Sequence, residues 1–321
     1  MSSSDDPPVP KRRALERVMT DLTRLLEEQH FASLEEANAS LQQTLAEGGP
    51  PSRPPRTPLE EAQDLLDEAW EATGPRQIEL ARQALARSPD CADAYVLLAE
   101  VTARTPEEAL TLYGQGVAAG ERAIGDHRFA EEVGHFWGIV ATRPYMRARV
   151  GLAQRLWTAG RRHEAILHYT DMLRLNPNDN QGVRDLLLAA LLAVGDTTRA
   201  RDLLGRYDDA SATWAYGRAL VTFWTEGNST AARQHRREAL RSNPHVPAYL
   251  LGRTRLPKQR PPFYSLGSPE EAVLCAAEQL DAWRAAPGAL DWLAAATPPA
   301  GTVPRTTTRP RAARRPGPSS S

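Results

Sequence analysis

The side chains that could carry out chemistry in this chain are few and widely spaced. His127, Glu131 and His135 come closest to a site, since steps of four residues share one helix face and imidazole and carboxylate groups bind zinc. Metal-dependent hydrolysis is therefore one hypothesis. Surface and packing roles fit better, because His127 precedes the predicted helix. The sequence contains no phosphate-binding glycine loop and no serine-nucleophile pattern. We expect no catalytic residue, no metal and no cofactor.

A second group of side chains suits binding better than catalysis. Arg147, Arg184 and Arg218 fall at similar places in three successive predicted helix pairs. Guanidinium groups along a groove suit carboxylates, with which they form paired, charge-assisted hydrogen bonds. The alternative is that they are solvated and pair with acidic neighbours. The predicted partner-binding groove comprises Arg147, Gln154, Arg184, Trp214 and Arg218.

Recurring helix endings indicate the elements that position these residues. Residues 84–89, 172–177 and 239–244 each close an amphipathic segment with a proline. Pro177 and Pro244 lie nearly two periods of about 34 residues apart, whereas the gap from Pro89 to Pro177 is longer because it contains the segment 121–145. This period is typical of tetratricopeptide helix pairs. We predict an all-α fold, a tetratricopeptide-like right-handed α-solenoid of five degenerate helix pairs with a helical N-terminal hairpin and a C-terminal cap. Such a fold binds partners along its concave face.

The composition along the chain predicts six segments. They are a disordered start at 1–10, a helical hairpin at 11–47, a proline-rich linker at 48–58, repeats at 59–250, a loop with capping helices at 251–296, and a disordered basic tail at 297–321. An aromatic insert at 121–145 interrupts the repeats, and we predict an extra helix over 129–139. This insert is either a ligand-facing element or a hydrophobic plug, and the plug is favoured because aromatic side chains bury large areas.

The composition gives expectations about charged partners, membranes and the redox compartment of the protein. The net charge is −1, so no global field favours nucleic acid or an acidic membrane. The longest apolar run, 186–194, is too short to cross a bilayer. Cys91 and Cys275 form no close pair, which predicts buried, inert thiols and a reducing cytoplasm. The positive charge is almost all arginine, with Lys11 and Lys258 the lysines, and this usage predicts a bacterial source.

Four strings in the C-terminal part are distinctive. They are G-R-R-H-E-A-I at 160–166, L-L-G-R-Y-D-D at 203–209, N-P-H-V-P-A-Y-L-L at 243–251, and Trp283 followed by G-A-L at 288–290. With them, residues 146–293 resemble the C-terminal half of the suppression-of-tumorigenicity-seven family of tetratricopeptide-like proteins. The resemblance implies this fold and an interaction role, and adds no catalytic residue. Animal members of that family are membrane-associated, but we find no membrane segment in this sequence and do not carry that property over to it.

Two functions follow from these patterns. The first is a cytoplasmic, non-enzymatic scaffold that binds a protein or peptide segment on its concave face without membrane insertion. The alternative is a nucleic-acid-associated or enzyme-accessory factor, in which the arginine-rich tail at 297–321 and the N-terminal hairpin make weak contact with nucleic acid.

Overall fold

The computed structural model describes residues 9–28, 31–48 and 57–297, and the regular structure within them is helical. The helices are α1 Val9–Glu28, α2 Leu34–Ala46, α3 Pro58–Glu71, α4 Pro75–Arg87, α5 Ala92–Val101, α6 Pro106–Ile124, α7 Asp126–Glu131, α8 Arg143–Thr158, α9 Arg162–Leu175, α10 Val183–Val194, α11 Thr197–Arg206, α12 Ala212–Glu226, α13 Thr230–Ser242, α14 Val246–Leu250, α15 Pro269–Ala285 and α16 Ala289–Ala294, with a short 3-10 turn at Val140–Thr142. The predicted all-α fold of helix pairs is confirmed.

Three predicted segments lie largely outside the described residues. They are the start at 1–10, the linker at 48–58 and the tail at 297–321. Their edges alone are described: α1 already begins at Val9, α3 begins at Pro58, and Thr297 follows the last helix.

The recurring helix endings act as C-caps. Ser88, Asn176 and Asn243 stand directly after α4, α9 and α13, and all three are buried. Each has left the helical region of backbone space, with φ between −139° and −153°. The proline that follows disfavours helical backbone in the residue before it. The sequence pattern therefore fixes where these helices stop.

Side-chain caps fix several helix starts. Ser33 and Ser268 accept hydrogen bonds from the backbone N–H groups of Glu36 and Glu271, each over 3.2 Å. Pro269 follows Ser268 at the first helical position, where its missing N–H costs nothing.

The chain divides into two compact units, the first ending at Arg206 and the second beginning at Tyr207. In the first unit α3/α4, α5/α6, α8/α9 and α10/α11 pack as pairs, each followed by the next. The closest approach is at Gly151 of α8, where an added Cβ would lie 2.1 Å from Cε1 of Tyr113. The sequence placed this crossing at Leu152 and Ala153. Glycine at 151 lets the Tyr113 ring lie directly against the α8 backbone.

Arg149 occupies the position where a tetratricopeptide unit carries its signature tryptophan. Its guanidinium donates to the Tyr145 hydroxyl over 2.6 Å and to Nδ1 of His168 over 3.2 Å. It also forms an ion pair with Asp171 at 2.6 Å. A polar bridge between α8 and α9 thus stands where the tryptophan ring would be.

The aromatic insert is packed rather than helical throughout. Its helix covers Asp126–Glu131, so the predicted helix over 129–139 is wrong, and turns follow to the 3-10 turn. Phe129, Phe136 and Tyr145 meet edge to face with ring centroids 4.8–5.9 Å apart. The N–H groups of Gly134 and Phe136 both donate to the Leu175 carbonyl. Phe136 and Tyr145 are buried and Phe129 is half-buried, so part of the insert packs against the end of α9.

In the second unit α12 and α13 pack as a pair, and α14, α15 and α16 pack with them. The buried carboxylate of Glu271 accepts hydrogen bonds from the N–H groups of Ala212 and Gly267, at 2.8 and 2.7 Å. The Asn243 side-chain amide donates to Glu271 over 2.9 Å and to the Ser268 carbonyl over 2.8 Å. The hydroxyl of Tyr216 donates to the Asn243 carbonyl. We call Glu271 and Asn243 with these bonds the clasp, because it joins the start of α12, the end of α13 and the start of α15.

The two thiols are expected to be inert in the folded protein. Both are buried and unpaired with each other. Burial, aided by the Asp93 charge, raises the pKa of Cys91 to about 12, and burial also raises the pKa of Cys275. We expect no reaction with Ellman's reagent at pH 8 until denaturant is added, when two thiols titrate. Rapid reaction of either thiol in the native protein would contradict this burial.

The raised pKa of Cys91 also predicts a pH dependence of stability. Above pH 9.0, the ordinary value, the unfolded chain loses this proton while the folded chain keeps it until about pH 12. Proton loss then favours the unfolded state, so this contribution to the free energy of unfolding falls as the pH rises through that window. Replacing Cys91 by alanine should remove this part of the alkaline decline in urea titrations.

Candidate partner-binding surface

An ion cluster links three helices of the first unit. Arg147 of α8 holds Asp93 of α5 with two parallel bonds, Nε to Oδ1 over 2.8 Å and Nη2 to Oδ2. Its Nη1 donates to both oxygens of Glu16 on α1, over 3.1 and 2.9 Å. The Asp93 side chain is fully buried. Burial alone lowers the pKa of Arg147, but Asp93 and Glu16 outweigh it and raise the pKa, so this arginine stays charged.

A second arginine completes the site for Glu16. Nη1 of Arg143 donates to Oε1 of Glu16 over 3.2 Å. The position of Arg143 is fixed by the insert, since its Nε donates to the Trp137 carbonyl over 2.9 Å and its guanidinium lies 5.5 Å from the centre of the Trp137 ring. The two arginines, one turn apart on α8, thus form a clamp for a single carboxylate.

The helix that supplies this carboxylate turns its Glu16 edge towards α8. Glu16 is mostly buried, yet Leu15 and Val18 beside it are 58% and 38% exposed. The two ion pairs with Arg143 and Arg147 therefore contribute to the position of α1, while part of its apolar surface faces solvent.

A cavity of about 580 Å³ adjoins the clamp. Residues of α1, α3, α8 and the aromatic insert line it, and Glu16 and Arg147 lie on its wall. Leu59, Ile139 and Val140 add apolar surface, and Gln63, Asp64 and Thr20 add polar surface. The space next to α1 is therefore only partly filled.

Three of the predicted groove residues belong to the first unit. Arg147 lies in the ion cluster, and Gln154, on the same helix, is exposed. Nε of Arg184 lies 3.9 Å from Asp179, whose carboxylate caps α10 by accepting from the N–H groups of Val183 and Arg184. Burial raises the pKa of Asp179, against the effect of these hydrogen bonds. Arg184 is thus placed beside the cap of α10, whereas Arg147 belongs to the clamp.

The other two predicted residues belong to the second unit. Arg218 of α12 is half-buried. Trp214, also on α12, is fully buried and packs edge to face on Tyr207, with ring centroids 6.0 Å apart. A buried ring cannot contact a partner, so the structure corrects the choice of Trp214, which belongs to the core. Large size and helical spacing alone did not distinguish a core face from a binding face.

The helix face on which His127, Glu131 and His135 were expected to lie together does not form. Nδ1 of His127 lies 3.1 Å from Glu131, but α7 ends at Glu131, so His135 does not continue that helix face. Within residues 9–28, 31–48 and 57–297, no three histidine, cysteine or acidic side chains are grouped as metal ligands.

Sequence reasoning missed Glu16 and Arg143. Glu16 is one of several acids on α1, and Arg143 lies at the end of the insert, where no repeat register applied. The one available signal was the spacing of Arg143 and Arg147, because residues four apart lie next to each other on a helix.

No α-helix in the described part of the chain combines the length and apolar character needed to cross a bilayer.

Comparison with known proteins gives a consistent set of relatives. The profile of the ST7 protein family matches residues 56–308. The chain is 30% identical over 262 residues to suppressor of tumorigenicity 7 protein-like of Rattus norvegicus, covering 73% of this chain and 46% of that protein. The protein of the same name from Danio rerio is 32% identical over 251 residues, covering 71% and 43%. The chain therefore spans about half the length of the curated relatives it matches.

These relatives confirm one sequence interpretation and overturn another. The resemblance first drawn from residues 146–293 is confirmed and extends to residue 56. The prediction of a bacterial source is wrong, because these relatives come from vertebrates. Arginine-rich, lysine-poor usage reflects the base composition of a gene and not its lineage.

One solved structure gives a partial match. The crystal structure of YrrB, described as a TPR protein with an unusual peptide-binding site, is 17% identical with a TM-score of 0.40, over 57% of this chain and 84% of that one. At that TM-score the match adds nothing to the fold described above.

Proposed function

Because this chain belongs to the ST7 protein family and its described residues form packed helix pairs, we propose that it is a cytoplasmic, non-enzymatic scaffold. It binds a helical segment of a partner protein on the surface that α5 and α8 present beside the clamp. Helix-pair repeats commonly bind extended or helical segments along one face, and no catalytic step is needed for that role.

The observation that carries this proposal is the seating of Glu16 between Arg143 and Arg147. A carboxylate on a helix is held by three hydrogen bonds from Arg147 and Arg143 that are 3.2 Å or shorter. Charge-assisted bonds of this kind are among the strong ones in proteins. The clamp therefore selects an acidic side chain on a helix, and α1 demonstrates the geometry within the chain itself.

The partner that fits best is an amphipathic helix with one acidic residue beside bulky apolar residues. The carboxylate enters the clamp in place of Glu16. The apolar side chains enter the adjoining cavity, which α1 fills only in part. In this proposal α1 occupies the partner site in the free protein and is exchanged for the partner.

Competition by a synthetic α1 tests the proposal. A fluorescein-labelled peptide of residues 9–28 is titrated into the full chain and into its Glu16→Ala variant, with binding followed by anisotropy. Losing a charged hydrogen-bond partner weakens the internal helix by about 2 kcal/mol, so the variant should bind the peptide about tenfold or more tightly than the unmodified chain.

Matched controls separate this exchange from loss of charge. Glu35→Ala on α2 removes the same charge from an exposed position and should leave peptide binding unchanged. A peptide that itself carries Glu16→Ala should not bind the variant chain. Equal affinities for both peptides, or no binding by either chain, would remove the clamp as the partner site.

A further inference from the structure

The loop between α14 and α15 presents a short exposed peptide. Residues 262–266 are exposed and belong to no helix. Phe263, Tyr264 and Leu266 are 70%, 49% and 63% exposed. The other large exposed apolar residues of the described chain lie on or next to helices, without such a cluster. The segment is therefore accessible to a partner without unfolding of the helices on either side.

The backbone of this peptide is restricted by two prolines. Pro261 and Pro262 restrict their own φ to about −65°, and each also pushes the residue before it out of helical space. The structure shows residues 260–265 without helix or hydrogen-bonded turn, with a bend at Pro262. A proline pair in open chain favours polyproline II, so the peptide reaches that conformation when the bend at Pro262 straightens on binding.

The charge around the peptide has one sign. Arg253, Arg255, Lys258 and Arg260 precede it, and residues 252–269 contain no acidic side chain. Arg260 alone has an acidic neighbour in the structure, Glu278 at 4.0 Å. A partner with an acidic rim would therefore approach this loop faster and bind it better.

The order of residues 261–264 indicates which kind of peptide-binding groove on a partner would fit this loop. Pro261-Pro262-Phe263-Tyr264 has the form proline-proline-any-tyrosine, in which two prolines in polyproline II enter a slot between aromatic rings and the tyrosine enters a second pocket. We propose that residues 261–264 are a docking peptide for a WW domain with an acidic rim. This surface is separate in sequence from the clamp, so either can fail without the other.

Titration with a purified WW domain tests the proposal. The probe is a recombinant WW domain that binds proline-proline-any-tyrosine peptides, titrated into the full chain by isothermal calorimetry. We expect saturable one-to-one binding. Pro262→Ala and Tyr264→Ala should each weaken it at least tenfold, because one removes the fixed backbone and the other empties the second pocket.

Two neighbouring substitutions are the matched controls. Phe263→Ala and Leu266→Ala remove exposed apolar area of similar size at positions that do not enter the groove of the WW domain. Each should therefore change the affinity for the WW domain less than twofold. Tyr264→Phe keeps the ring if the alanine variant fails to fold, and circular dichroism checks each variant. Absence of saturable binding, equal binding by a WW domain whose groove tryptophan is removed, or full binding by the proline and tyrosine variants would overturn the proposal.

Discussion

Replacing Arg147 by leucine is expected to lower the free energy of unfolding of the first unit by about 3–5 kcal/mol, because it leaves a buried charge without its partner. Asp93 is fully buried and takes two hydrogen bonds from this one guanidinium. Without Arg147 the buried Asp93 must either stay charged without these two bonds or take up a proton. Urea denaturation followed by circular dichroism, fitted with one transition for each unit, measures the loss.

Two comparisons make the result specific. The double variant Asp93→Leu and Arg147→Leu should recover most of the lost stability, because it removes both charges and keeps apolar volume. Arg161→Leu breaks the exposed pair with Glu164 and should change stability little. If Arg147→Leu costs no more than Arg161→Leu, the buried pair does not stabilise the first unit in this way.

Gly151→Ala is expected to be the second most damaging substitution, with a loss of about 3 kcal/mol or more. The added Cβ would lie 2.1 Å from Cε1 and 2.5 Å from Cδ1 of Tyr113, whose ring is buried. The ring cannot turn away freely in a packed core, so α6 and α8 must separate. Thermal and urea unfolding of the full chain measure the change.

Gly114 provides the matched control on α6. It is also a helical glycine, but a Cβ there meets nothing within 4 Å. Alanine at this position should stabilise the chain by about 1 kcal/mol, since helix propensity then acts alone. The double variant Gly151→Ala with Tyr113→Leu should regain part of the loss. Equal effects at 114 and 151 would contradict the close approach of α6 and α8.

The fold was readable from the sequence because local signals and packing agree. Serine caps, proline at the first helical position and the buried C-cap residues before Pro89, Pro177 and Pro244 all act within a few residues. Short-range chemistry of this kind leaves a regular pattern. The ends of α4, α9 and α13 follow this pattern, whereas in the insert hydrogen bonds to the Leu175 carbonyl replace the expected helix.

Only part of the candidate site could be predicted from the sequence, because the site depends on contacts between residues far apart in the chain. The repeat register was enough to select Arg147, but its partner Glu16 lies 131 residues away in the sequence. Trp214 was predicted to line the groove but is fully buried. An aromatic residue on the first helix of a pair can face either the groove or the next pair. Single-sequence periodicity cannot choose between these faces, because both have the same spacing.

The clasp allows the loop between α14 and α15 to change in length. The Asn243 amide, with Glu271, fixes the chain directly after the loop at Ser268 and Gly267. On the other side, the N–H of Thr254 donates to the Ala248 carbonyl. A loop whose two ends are held independently of its contents pays only about 0.6 kcal/mol for each doubling of its length. The segment between these anchors can therefore gain or lose residues during evolution, or accept an inserted tag, while the helices on either side keep their places.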